Sequence, residues 1–149
     1  MPSTFTGESE PVTLSSASLV ILSLTTSAAE IGRALSIEPT ETWNRGDVGE
    51  GGGPQAYHGW VRASGLGEDR PIEEHLAVLL DHLVPHSHAL AELLQAKDRI
   101  DNAKLWVVSR SSSWNPGLSL SPNLLSALAD LGVDLEIDIY VMESQAPAT

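Results

Sequence analysis

Ser121-Pro-Asn-Leu-Leu-Ser-Ala-Leu-Ala-Asp-Leu-Gly-Val-Asp-Leu-Glu-Ile-Asp-Ile-Tyr-Val141 holds the change of period on which the fold reading turns. Ser121 and Pro122 open a helix, the hydroxyl as N-terminal cap and the proline at the first helical position, where a missing N–H costs nothing. Gly132 closes it through a left-handed cap. From Asp134 onward the period drops to about two: Asp134, Glu136 and Asp138 alternate with Leu135, Ile137, Ile139 and Val141. A strand polar on one side and apolar on the other belongs to a sheet with one covered and one open face.

Working outward, Lys104 to Arg110 reads as another strand, joined to this helix by a loop of Ser, Trp, Asn and Pro. The longest element runs from Pro71 to about Gln95, with Ile72, Leu76, Leu79, Leu80, Leu83, Leu90 and Leu94 on one stripe at helical spacing. Pro85 lies inside that pattern and predicts a kink or two helices in series. Thr42 to Arg45 and Tyr57 to Ala63 flank the loop Gly49 to Gly53 as a wide hairpin, and Ser18 to Thr25 forms the first strand. Ser27-Ala-Ala-Glu30 has capping-box spacing, and the helix it opens ends near Ser36, before Pro39. The order β-α-β-β-α-β-α-β predicts an α+β two-layer sandwich of ferredoxin-like type, an antiparallel-rich sheet covered by helices on one face. Residues 1–16 read as a flexible arm, 17–142 as a single domain and 143–149 as a disordered tail.

The 149 residues include 20 acidic against 8 basic side chains, a formal charge of −12, and no cysteine. Thiolate metal sites, iron–sulfur clusters, thiol nucleophiles and disulfide frameworks are thereby excluded. The charge repels nucleic acid and acidic membrane surfaces and attracts basic partners. Leu19 to Leu24 has no basic residues ahead of it and is far shorter than the ~20 residues that cross a bilayer, so neither signal peptide nor membrane span is expected and the cytoplasm is the expected compartment.

Several phrases carry a resemblance: Ile37-Glu-Pro-Thr40 leading to Trp43 and Gly46-Asp47; Gly59-Trp60; Glu74-His-Leu76 with Leu79-Leu-Asp81 and Pro85; and Gly117-Leu-Ser-Leu-Ser-Pro122 followed by Leu124-Leu125, Leu128, Leu131-Gly132, Asp134-Leu135 and Asp138-Ile-Tyr140. Over roughly Ser18 to Val141 the chain resembles a bacterial family, domain of unknown function 4279. The resemblance implies a small α+β domain and implies no reaction.

Among candidate functional residues, His75, His82 and His86 fall within about 40° of one another around a helix. His82 and His86, about 6 Å apart along the axis, would be the two histidines of a metal site, but they need a carboxylate from elsewhere and Pro85 intervenes; His75 is ~10 Å further off. The plainer reading has the imidazoles bordering the apolar stripe, half covered by the sheet edge. Asp134, Glu136 and Asp138, successive carboxylates some 6.5 to 7 Å apart along one strand face, read either as a solvated surface or as an acidic docking strip, because a row of like charges is a poor choice for stability alone. Trp60 and Trp106 lie mid-strand as core or sheet-face packing. Trp43 beside Arg45, and Trp114 beside Arg110, have the composition of interface anchors or of plugs over the core. No Gly-x-Ser-x-Gly elbow occurs, and Gly49 to Gly53 lacks the Lys and following helix of a phosphate loop.

These residues predict a non-enzymatic protein-binding module without a cofactor, for instance an immunity-type or regulatory protein. It would bind a basic protein partner through Trp43, Arg45, Trp114, Asp134, Glu136 and Asp138. The alternative is a small enzyme or ligand- or metal-binding domain using His58, His82 or His86 with a carboxylate in a cleft, and a third possibility is a homodimer through edge strands or polar sheet faces.

Overall fold

β1 (Thr13–Ser23) is hydrogen-bonded along both edges, antiparallel to β3 (His58–Ala63) on one side and to β4 (Asn102–Ser111) on the other. β2 (Glu41–Trp43) pairs antiparallel with β3, and β5 (Asp134–Val141) pairs parallel with β4, giving a five-stranded mixed sheet in the order β2-β3-β1-β4-β5. The computed structural model describes residues 12–96, 99–113 and 115–143. The architecture is α+β. Its sheet is not wholly antiparallel, because α4 (Pro122–Leu131) carries the chain back across one face before β5, and a parallel neighbour needs such a crossover.

Helix starts and stops follow the local chemistry. The Ser27 hydroxyl accepts from the Glu30 N–H at the head of α1 (Ala28–Leu35), and the Ser121 hydroxyl accepts from the Leu124 N–H at the head of α4. Gly132 ends α4 at φ +76°, a left-handed conformation that glycine adopts without penalty. Pro71 precedes α2 (Ile72–Leu83) as its cap rather than lying within it, and offers no side-chain hydrogen bond. At Pro85 the helix tightens into a single 3-10 turn, Val84–His86, before α3 (Ser87–Gln95) continues. The missing proline N–H accounts for the break.

One core results. Ala17, Leu19 and Ile21 of β1, Trp60 of β3 and Leu105 and Val107 of β4 meet Ile31 and Leu35 of α1, Leu76, Leu79 and Leu83 of α2, Leu90 and Leu93 of α3, and Leu128 and Leu131 of α4. All these strand residues lie on the same side of the sheet by register.

Two boundaries differ from the sequence reading. β1 begins at Thr13, inside the stretch expected to be a flexible arm, because the weak strand formers Ser15 and Ser16 are carried by continuous pairing with β4 from Thr13↔Ser111 to Leu22↔Asn102. The rest of the arm (1–11) and the tail residues 144–149 lie outside the described residues. At its other end β1 stops at Ser23, whose buried hydroxyl donates to the Arg99 carbonyl and accepts from the Thr26 N–H at 2.9 Å, so Leu24 and Thr25 turn away instead of extending the strand. Leu79, fully buried at the centre of the α2 stripe, is the residue on which the layer contact is best probed. Leu79→Ala is expected to lower stability by about 2–5 kcal/mol in urea unfolding, with unchanged cooperativity.

Candidate functional site

The face of the sheet away from the helices gathers the residues of interest. By register it presents Glu41 and Trp43 from β2, Gly59 and Val61 from β3, Ser18 and Val20 from β1, Lys104, Trp106 and Val108 from β4, and Asp134, Glu136 and Asp138 from β5. Residues separated by almost a hundred positions in sequence become neighbours here through strand pairing alone.

Trp43 is the last residue of β2, opposite Gly59. Its ring lies over that glycine so closely that a Cβ there would sit 2.0 Å from Cε2. An aromatic side chain covering a cross-strand glycine is a recurrent way of restoring the side-chain contact the glycine lacks. The Trp43 indole N–H is buried without a partner among the described residues. Beside it the sheet dips into a hollow of about 380 Å³ lined by Trp43, Trp106, Val20 and Val61, with Glu41 and Glu50 among its polar residues. Glu50 arrives from the glycine-rich segment, which continues the β2–β3 hairpin through Gly46 N–H to Gln55 O (2.8 Å), Gln55 N–H to Asp47 O (2.7 Å) and a turn closed by Gly49 N–H to Gly53 O (2.9 Å).

The carboxylate row on β5 is not a set of three isolated charges. Lys104 Nζ donates to Glu136 Oε2 at 2.5 Å, and Trp106 Nε1–H donates to Asp138 Oδ2 at 2.8 Å. Each β4 residue reaches the residue two beyond its own register partner, since Lys104 pairs with Asp134 and Trp106 with Glu136. The Lys104 ammonium also stands 5.8 Å from the centre of the Trp106 ring. Repulsion along the row is thus relieved from the neighbouring strand. Trp106 itself remains 37% exposed, its ring edge fixed by the Asp138 bond.

A family model described as a domain of unknown function (DUF4279) matches residues 12–142. The chain belongs to this family. No curated protein and no solved structure matches it. The DUF4279 match opens one residue before β1 and closes one after β5, so the whole sheet, both faces included, is the family's unit.

The other expected site residues of this DUF4279 domain are dispersed. Arg45 is exposed; its backbone N–H donates to His58 Nδ1 at 3.0 Å and its guanidinium reaches the Leu24 carbonyl at 3.5 Å. Trp114 lies outside the described residues. The three helical histidines do not act as a group. His75 is fully buried, not at the border of the stripe, with Nδ1 2.6 Å from the Ser64 hydroxyl and Nε2 without a partner. His82 is exposed and its Nδ1 accepts from the Arg62 guanidinium at 3.0 Å, while His86 sits on the 3-10 turn, so the two are not one helical turn apart on a regular helix. Among the described residues no group of three or more His, Asp or Glu is placed to hold a metal ion, and no helix is long and apolar enough to cross a membrane.

Sequence reasoning did not find Glu41, Glu50, Val20 or Val61. Val20 alternates against Leu19 and Ile21, a legible sign that it faces away from the core, but its meeting with Trp43 and Trp106 depends on strand order. Gly59→Ala is expected to expel the Trp43 ring, red-shifting tryptophan fluorescence and costing about 1–3 kcal/mol of stability.

Proposed function

We propose that this domain is a non-enzymatic binding module that receives a basic segment of a protein partner on the open sheet face. The observation that carries the reading is the union on one surface of two tryptophans, Trp43 and Trp106, with acidic groups on either side: Glu41 and Glu50 around the hollow, Asp134, Glu136 and Asp138 along β5. A Lys or Arg side chain entering the hollow would meet aromatic faces and carboxylates together, the combination that favours a desolvated cation. From β2 to β5 the face spans four strand spacings, about 19 Å, the scale of a protein interface. The charge of −12 supports fast capture of a basic partner, with the tryptophans setting the off-rate. A regulatory or immunity-type role, exercised in the cytoplasm, belongs to this proposal. So does the finer fold reading, in which β1 to β4 form a ferredoxin-like split βαβ unit and β5 is an addition at its edge.

Affinity capture from the native lysate with wild type and with a Trp106→Ala, Glu136→Gln, Asp138→Asn variant tests the reading. The expected result is a stoichiometric basic protein held by wild type at low salt, weakened at high salt, and bound at least tenfold more weakly by the variant. Equal retention by wild type and the variant, or no retention at either salt, would overturn it. The substitutions are expected to leave the fold intact, since the Lys104–Glu136 pair is partly exposed and exposed pairs contribute little.

A further inference from the structure

On the helix-covered side, at the end of the sheet where β1 begins and β4 finishes, the apolar core gives way to hydroxyls. Ser15 and Ser109 are direct cross-strand partners, and each is only 4% exposed. Neither hydroxyl has a hydrogen-bond partner among the described residues. The next pair outward on the same face does bond, Thr13 Oγ1 to Ser111 Oγ at 2.9 Å. The two residues are covered but their oxygens are not sealed in: both line a hollow, and hydrogen bonds to whatever fills it complete them.

Both serines open onto a hollow of about 280 Å³, which continues into a second of about 270 Å³ through shared lining residues that include Ile72 and Leu118. The walls are of two kinds. Ile72, Leu118, Ile137 and Ile139 are apolar. Asp69, Arg70 and Glu73 bring charges of both signs to the head of α2, whose first turn has no side-chain cap because Pro71 precedes it; the Glu74 and His75 N–H groups donate to the Pro71 carbonyl at 3.1 and 3.2 Å, which leaves those of Ile72 and Glu73 for a ligand. Arg70 Nε is held by Glu74 at 2.6 Å, a bond that raises the guanidinium pKa further and keeps it a cation. Glu73 Oε1 accepts from the Ser119 N–H at 3.2 Å, which ties the loop before α4 to the head of α2.

We infer that this hollow is a binding site for a small zwitterion with an apolar body, a free aliphatic α-amino acid. A lone anion would face Asp69 and Glu73, and a lone cation would face Arg70 and the positive end of α2. A head that carries an ammonium and a carboxylate side by side uses both, with the Ser15 and Ser109 hydroxyls, each donor and acceptor, completing its hydrogen bonds. The aliphatic side chain lies against Ile72, Leu118, Ile137 and Ile139, and the combined hollow suits a ligand of that size. The site is on the opposite side of the sheet from the open face, and it stands or falls independently of partner binding.

Calorimetric titration and thermal melting of the full chain with L-leucine, 4-methylpentanoate and 3-methylbutylamine test the inference, the last two being leucine without its ammonium and without its carboxylate. L-leucine is expected to bind at least tenfold more tightly than either, and to raise Tm by about 5–10 °C at a hundredfold excess over Kd. In Ser15→Ala/Ser109→Ala the unliganded protein is expected to keep its fold, with unchanged cooperativity in urea unfolding, while the leucine response falls at least tenfold. Leu118→Lys, at a partly exposed wall position, is expected to abolish the response without touching the core. Absence of leucine binding up to 10 mM, binding of either half-molecule as tight as that of leucine, or a response undiminished in both variants would each overturn the inference.

Discussion

β1 is the constraint on which everything else rests, because it is paired along both of its edges and therefore fixes the registers of β3 and β4 at once. Its alternation sets the division of the sheet. Ala17, Leu19 and Ile21 point to the helices, Ser16, Ser18 and Val20 to the other side, and a slip of one residue against either neighbour would exchange the two sets. The helices supply the complementary apolar stripe, interrupted but not dephased by the turn at Val84–His86.

The two faces then acquire distinct chemistries. On the open side, aromatic, aliphatic and acidic residues from all five strands are brought together, with Lys104 and Trp106 tying down two carboxylates that would otherwise only repel one another. These bonds hold Glu136 and Asp138 in place and leave Trp106 partly exposed. On the covered side the core is apolar through its centre and turns hydroxyl-rich only toward Thr13 and Ser111, where the helix layer ends and the hollow begins. Buried serine in a core is usually a packing detail. A facing pair that lines a hollow beside a helix start without a side-chain cap makes a recess with a definite polarity.

Much of the architecture was legible from local signals. Ser27, Ser121, Gly132 and Pro85 mark helix ends through short-range hydrogen bonds and ring sterics, effects that neighbouring residues suffice to produce. The polar–apolar alternation of β5 sorts its side chains by face, but burial does not follow it, since on this edge strand Leu135, Ile139 and Val141 are exposed as well as Asp134 and Glu136. What sequence could not convey was strand order, since pairing of Thr13 with Ser111 has no local signature, and with it went the true start of β1, the meeting of Trp43 with Trp106 across one hollow and the apposition of Ser15 with Ser109. The histidines misled for a related reason. A helical wheel placed His75, His82 and His86 on one side, but the fold buries the first beside Ser64 and leaves the second to Arg62.

The double pairing of β1 also has a temporal side. Its partner β4 lies far downstream, with Thr13 and Ser111 separated by 98 residues. At synthesis rates of roughly 5–20 residues per second, the chain grows for about 5 to 20 s after β1 emerges before that edge can be closed. During this interval the strand that will occupy the middle of the sheet is an edge, and a topology so dominated by distant contacts closes slowly. The hydroxyl-rich first half of β1, Thr13 to Ser18, keeps that waiting edge poor in exposed apolar surface until β4 arrives.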